Sequence, residues 1–536
     1  MEYFAVNASI GRSAYNQEVD FPDAQSLLAH MDYLGIDRML VESIQASEYS
    51  PINGNRRLLQ ELLPHQERLK PVFVITPSDF YEQGTLDWLQ EQAAAGNKAY
   101  RVRPDISRFA LRQIERLLAE LAAYQPLIML DAKFSSTEMD FRDLEELAGK
   151  YPSCNFLLTS QMWGGFGRVM DLMWRRQNIY LEISWLHMRD SLELLRDQFG
   201  IQRLLFGIGY KSHYAAAIGC LAHSKLSDSE KAAVAHGNLE KLLGMEPIAH
   251  KLAAEHPLLQ DKPLWRNFST GGKLSGLPTF DCHSHDGPFT RGWYLTDLAD
   301  PQQRVEAIMQ HIAGNGVEKI AMIGESALFG EPLAGNLEFE QITEKYRGKL
   351  FGMFVYNPYF KESLGEKVLD EFFSRDFFIG FKVLPSYWHV KIDSPDYNGM
   401  WEYADKYHLP VLIHTWEDPW NAPMMLDEIV KKHPNAKFIL GHSGGSAGGR
   451  RQAEELALRH SNVFLELCGT FCSSRSVYQS MLRLGKERFV FGSDAVAHNQ
   501  SYELAAFLSI PLPDSELAAV LGENFLNILK DRKKHL

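Results

Sequence analysis

Short apolar runs recur along the whole chain, each followed by a longer stretch whose apolar positions fall at helical spacing. In the first half the runs are YFAVN, DRMLVES, PVFVITP, AYRVRP, PLIMLDA, NFLLTSQ, NIYLEIS and RLLFGIGY. In the second half they are TFDCH, EKIAMIG, LFGMFVYN, FFIGFKVLP, PVLIHT, KFILGHS, NVFLELCG and RFVFGSD. Runs that are apolar almost throughout, rather than alternating, predict strands buried on both faces of a parallel sheet. Eight strand–helix units in about 250 residues is the pattern of a (β/α)₈ barrel. Two such series predict an α/β chain made of two tandem (β/α)₈ barrels.

A long, weak repeat supports this division. Residues 53–77 and residues 335–358 both carry a Gly-Asn pair read as a helix start, an amphipathic helix, and an apolar strand closing in Pro. HGNLEKLL at 236–243 likewise matches GENFLNIL at 522–529. The expected domains are a first barrel over 1–245, a helical linker over 246–277 that includes the Gly-rich STGGKLSGLP, and a second barrel over 278–536.

At 536 residues the chain exceeds what one ordinary core serves, which agrees with two domains. The net charge of −13 and the absence of a basic stripe argue against nucleic-acid binding. Five scattered cysteines do not read as a disulfide framework. The opening MEYFAVNASIGRS lacks a basic region followed by an apolar core, and no apolar stretch is long enough to span a bilayer. The expectation is a cytoplasmic protein with no membrane contact.

Catalytic groups of such barrels lie at the C-terminal ends of strands. In the second half these ends carry His283 and His285, two apart and so on one face of a strand, then His414, His442 and Asp494. Imidazole nitrogen and carboxylate oxygen suit a divalent metal such as Zn²⁺, with an open position for water whose pKa the ion lowers. Mn²⁺ or Fe²⁺ would accept the same donors. A lone His-x-His arises by chance, whereas four histidines and an aspartate each closing a predicted strand is a specific pattern.

With these residues in place, the second half resembles the amidohydrolase superfamily, in the amidohydrolase-related branch that includes aminocarboxymuconate semialdehyde decarboxylase. The resemblance covers 278–530 and rests on DCHSH, GFKVLP, PVLIHT, ILGHSGG, VFGSDA and GENFLNIL. It implies that His283, His285, His414 and Asp494 hold one metal ion, that His442 handles the water or substrate proton, and that Asp494 doubles as proton shuttle. Lys382 stands where other superfamily members carry a carboxylated lysine bridging two metals; the branch resembled here implies one metal, with Lys382 at the pocket edge, binding substrate or pairing with an acid. Tyr387, Trp388, His389, Trp416 and Glu417 follow strands four and five and are candidates to contact substrate. Arg450, Arg451 and Arg475 could hold a substrate carboxylate. Cys468 and Cys472 are set aside because hard donors already complete the site. His498 reads as a loop residue behind Asp494.

The first half has lost this set. Aligned strand by strand, Asn7 falls on His283, Ser9 on His285, Leu130 on His414 with Asp131 one place on, Ser160 on His442, and Gly209 on Asp494. This half is expected to be a degenerate barrel without metal. It would serve as a scaffold through intramolecular barrel–barrel pairing, or bind a small ligand through Asn7, Arg101, Arg103, Asp131 and Gln161. A homo-oligomer is left open. The function expected of the whole is metal-dependent hydrolysis of a small ester, lactone or amide that bears a carboxylate. Non-oxidative decarboxylation of a small acid is the alternative, and a non-catalytic binding or scaffolding role the second.

Overall fold

In a computed structural model of the chain, which describes residues 1–15, 21–132, 138–162, 165–208, 215–287, 300–469, 473–495 and 498–533, each expected run forms a strand. The first eight are β1 (Phe4–Ile10), β2 (Arg38–Ser43), β3 (Leu69–Val74), β4 (Ala99–Val102), β5 (Leu127–Asp131), β6 (Asn155–Thr159), β7 (Ile179–Glu182) and β8 (Leu204–Leu205). The second eight are β9 (Phe280–His285), β10 (Lys319–Ile323), β11 (Leu350–Val355), β12 (Phe378–Val383), β13 (Pro410–His414), β14 (Lys437–Gly441), β15 (Val463–Glu466) and β16 (Phe489–Val490). Each set forms one parallel sheet in sequence order, with helices between strands, so the chain holds two tandem (β/α)₈ barrels. The strands are almost wholly buried, as their uninterrupted apolar character requires.

Each barrel closes between its first and last strand by isolated contacts rather than by a ladder. In the first, Val6 bridges Gly207 and its N–H donates to the Phe206 carbonyl at 2.9 Å. In the second, Ser284 bridges Ala495, Cys282 N–H reaches the Phe491 carbonyl at 2.9 Å and Asp494 N–H the His283 carbonyl at 2.8 Å. The last strands, two residues each, are too short to do more.

The repeat has a physical basis. The side-chain amide of Asn55 donates to the Val74 carbonyl and accepts from the Val74 N–H; Asn336 does the same with Val355. Each asparagine thus satisfies the last peptide group of its third strand. The preceding Gly54 and Gly335 let their helices lie against the backbone of Ala46 and Ala327, where a Cβ would not fit. The Gly-Asn pair does not open the helix, contrary to expectation. The helices run Pro51–Leu62 and Pro332–Ile342, opened by proline in the first turn and capped by the side chains of Ser50 and Glu331. In the second repeat, Asn238 donates to the carbonyls of Ile201 and Leu204, and Asn524 to those of Lys486 and Phe489.

The chain divides into two compact units, Met1–Gln260 and Asp261–Leu536. Residues 246–260 lie on the first, where Leu252 and Ala253 donate backbone N–H to Asp37. From Asp261 onward the chain belongs to the second. There the buried Lys262 ammonium donates to the carbonyls of Ile510 at 2.8 Å and Leu512 at 2.6 Å and faces Asp514 at 3.6 Å. Lys262→Met would leave these groups without a buried cation and is expected to destabilise the second barrel by about 3 kcal/mol. A urea midpoint unchanged in that variant would contradict this role. Among the described residues no helix is long and apolar enough to cross a membrane.

Candidate metal centre

The five strand-end residues of the second barrel meet in one mouth. His283 Nε2 lies 3.4 Å from His285 Nε2 and 3.6 Å from Asp494 Oδ1, and His285 Nε2 lies 3.1 Å from the same oxygen. These are the separations of donors sharing one ion, since bonds of about 2.1 Å in tetrahedral arrangement place ligand atoms about 3.4 Å apart. The donor set therefore fits a divalent metal. His442 packs against this trio with its ring 5.2 Å from that of His283, and His414 meets His442 edge-on at 4.7 Å. His414 stands at the same mouth, outside the tight trio.

Two carboxylates aim the first pair of histidines. Glu325 Oε1 lies 2.6 Å from His285 Nδ1, and Glu466 Oε2 lies 3.2 Å from His283 Nδ1. Holding each Nδ1 leaves each Nε2 facing inward, as metal-binding histidines require. Burial works against a charged His285, but Glu325 and Asp494 outweigh it and raise its pKa to about 9. Burial, reinforced by Lys382, holds His283 well below the usual range, and burial takes His442 down to about 4. For Asp494 burial acts upward, yet His283, His285 and His442 keep its carboxyl well below the usual carboxylate range.

Glu466 has a wider task. It also accepts the backbone N–H of His442 at 3.0 Å and of Cys468 at 2.7 Å, tying the ends of β14 and β15 together. His442 and Asp494 sit at φ 62° and 53°, a left-handed backbone that side chains adopt only where surroundings enforce it. Here the Glu466 contact and the Asp494 N–H bond to the His283 carbonyl enforce it. Neither Glu325 nor Glu466 was among the residues singled out from sequence. A signal existed for Glu466: NVFLELC and NIYLEIS both place a glutamate at the end of an apolar strand.

The remaining candidates separate. The buried Lys382 Nζ lies 2.7 Å from His283 Nε2, at the centre of the mouth rather than its edge. Cys468, set aside as a soft donor, lies against the site, its Sγ 3.3 and 3.4 Å from Nδ1 of His283 and His442 and 3.1 Å from Glu466. Cys472 falls outside the described residues. Trp416 stacks parallel on His414 at 6.0 Å, in room that Gly445 leaves, and Tyr387 meets His414 edge-on at 5.3 Å. Trp388 is buried, its indole N–H donated to the Leu328 carbonyl, and His389 stacks on Trp420. Glu417 accepts from Ser446. Arg450 and Arg451 ride on the helix Ala447–Arg459 and Arg475 on Ser474–Leu484. Among the described residues Arg450 and Arg451 bring no ion pair to the mouth. His498, one turn beyond Asp494, pairs with the buried Glu503 at 2.9 Å.

Strand registers give the first barrel's counterparts directly. Phe4 pairs with Arg38 as Phe280 pairs with Lys319, which sets Asn7 at the place of His283 and Ser9 at that of His285. Asp131, not Leu130, stands where His414 stands, because Asp131 pairs with Thr159 as His414 pairs with Gly441. The two prolines mislead the eye: Pro126 precedes β5, whereas Pro410 begins β13. Ser160 takes the place of His442 and keeps its backbone, at φ 58°. Gly209 lies outside the described residues. Glu182 matches Glu466 and accepts the same two N–H groups, from Ser160 at 3.1 Å and Ser184 at 2.5 Å. Gly207 and Gly492 make room for these two glutamates in the same way.

Against known families, residues 41–245 and 340–526 match the model described as amidohydrolase, well over half of the chain. The chain belongs to the amidohydrolase family. The match runs from within β2 to past β8 in the first barrel and from the helix before β11 to past β16 in the second, so both halves carry the family's fold, while β1, β9 and β10, with His283 and His285, lie outside it. No curated protein matches. Among solved structures the chain is similar to 5-carboxyvanillate decarboxylase from Sphingomonas paucimobilis, at 13% identity over 48% of this chain and 99% of that one, with a TM-score of 0.35. It is also similar to a dihydroxybenzoic acid decarboxylase from Polaromonas sp. JS666 described with bound manganese, at 15% identity over 49% of this chain and 99% of that one, TM-score 0.36. A third is 2,6-dihydroxybenzoate decarboxylase from Rhizobium, at 13% identity over 45% of this chain and 98% of that one, TM-score 0.35.

Proposed function

We propose that the second barrel is a metal-dependent hydrolase acting on a small ester, lactone or amide, with one divalent ion held by His283, His285, His414 and Asp494. The observation that carries this is the convergence of His283 Nε2, His285 Nε2 and Asp494 Oδ1 at the spacing of shared ligands, each histidine backed by its own carboxylate. When bound, such an ion polarises a carbonyl and makes a water easier to deprotonate. The chain's own groups then handle protons. Asp494 can accept the water proton and pass it to the leaving group, and the His442 imidazole can accept a hydrogen bond or proton at the substrate side. The flat faces of Trp416 and Tyr387 wall the mouth beside His414 and would bind the body of a small substrate. Zn²⁺ is the proposed ion.

The donor set itself serves either reaction; the stretches GHSGG at 441–445 and SNVFLELCG at 461–469, which resemble hydrolase-like members of the branch, support hydrolysis over decarboxylation. The test is a panel of small carboxylate-bearing esters, lactones and amides and of aromatic and unsaturated acids, with metal content measured alongside. About one equivalent of metal per chain with carboxylate product from the first group is expected. Release of carbon dioxide from the second group, with no hydrolysis of the first, would overturn the hydrolytic reading. Two equivalents would overturn the single-ion reading and bring Lys382 into the ligand set.

A further inference from the structure

The two barrels treat one position in opposite ways. Val74 pairs with Arg101 as Val355 pairs with Lys382, so Arg101 is the first barrel's counterpart of the lysine at the centre of the second mouth. Arg101 is almost wholly buried, and its guanidinium is bound on three sides. Nη2 donates to Asn7 Oδ1 at 2.6 Å, Nη1 to Thr159 Oγ1 at 3.0 Å, and Nε to Glu42 Oε2 at 3.1 Å. Asn7 is the residue in the place of His283. It presents an oxygen to this cation where His283 presents a nitrogen to the centre of its own mouth.

The counter-charge came with the arginine. Ser9 pairs with Glu42 as His285 pairs with Ile323, so the acid occupies a place that is apolar in the second barrel. The other oxygen of Glu42 takes Arg103, and the two guanidinium groups outweigh burial and hold the Glu42 carboxyl below its ordinary value. Arginine also differs from lysine here in kind. A lysine can give up its proton when a dication arrives beside it, whereas a guanidinium stays charged at any pH the fold survives. A divalent ion therefore has no place beside Arg101.

We propose that the Arg101 guanidinium is a built-in cation that does for the first barrel what a bound metal ion does for the second. It ties the C-terminal ends of β1, β2, β4 and β6 to one positive centre, inside a cage of oxygens from Asn7, Thr159 and Glu42. The first barrel thereby needs no metal ion at this position. The comparison with the second barrel rests on the single-ion function proposed above; the role of Arg101 itself does not.

Hydrogen–deuterium exchange of the full chain, read peptide by peptide, tests this in each barrel separately. In Arg101→Met, peptides spanning Phe4–Ile10, Arg38–Ser43 and Asn155–Thr159 are expected to exchange at least tenfold faster, with second-barrel peptides and metal content unchanged. Arg101→Lys, which keeps the charge but not the three-way fork, is expected to fall between. Should Arg101→Met not fold, Thr159→Val, which removes one acceptor, is expected to show the same local pattern at smaller size. Wild-type exchange rates in both Arg101→Met and Thr159→Val would overturn the proposal. So would faster exchange of first-barrel peptides when wild type is treated with a chelator, or a metal equivalent retained by His283→Ala. A chelator that alters neither barrel would instead sink the metal function of the second barrel, and the Arg101 variants would still decide this one.

Discussion

Alanine at His283 or Asp494 is expected to strip the protein of its metal and lower turnover by about 10³-fold or more, with the fold kept. His283 Nε2 and Asp494 Oδ1 are two of three donor atoms gathered at ligand spacing, and neither can be replaced from nearby. Cys468 reaches His283 only on its Nδ1 side, where Glu466 already sits, and Lys382 is a cation or at best an amine. The matched control is Asn7→Ala. Asn7 occupies the same strand position as His283, in a barrel with no such donor set among its described residues, so metal content and turnover should stay at wild-type values. The readouts are metal analysis, circular dichroism and the hydrolysis assay on the three proteins. Normal turnover in Asp494→Ala would remove the mechanism, and loss of metal in Asn7→Ala would remove the assignment of the ion to the second barrel.

Glu466→Gln is expected to weaken metal affinity by about 10–100-fold, the usual consequence of removing the carboxylate behind a metal histidine. A glutamine turns one acceptor into a donor. Because Glu466 uses both oxygens on backbone N–H groups of His442 and Cys468 and one of them on His283, some of these contacts become donor against donor. Glu182→Gln separates the two tasks. Glu182 makes the same backbone contacts but has no histidine in front of it, so its variant should cost about 2 kcal/mol of first-barrel stability and leave metal binding alone. Equal loss of metal affinity in both variants would show that Glu466 acts through the fold in general and not through His283.

Much of this was legible in the sequence, for a reason that can be stated. Buried parallel strands must be apolar throughout, so the strands announce themselves, and in a barrel their C-terminal ends share one mouth; polar residues closing apolar runs therefore had to meet. That logic located His283, His285, His414, His442 and Asp494. It could not locate Glu325, which follows a strand like any solvent-facing acid, or distinguish a buried Trp388 from a mouth-lining Trp416, because both follow apolar runs. It also misplaced the partner of His414 by one residue. Two prolines looked equivalent where only hydrogen-bond register defines equivalence. The central position of Lys382 and the three-sided binding of Arg101 depend on how far long side chains reach across the barrel, which strand periodicity does not encode.

The way the second barrel closes has a mechanical consequence. Strands β9 and β16 meet through isolated contacts, and the donors gathered at the metal centre straddle that joint, His283 and His285 on one side and Asp494 on the other. The proposed ion, held there, would act as a rivet through the split between the first and last staves of a cask. Stripping it would free the chemistry and the hoop together, so loss of the ion should make this joint the place where the second barrel first comes apart.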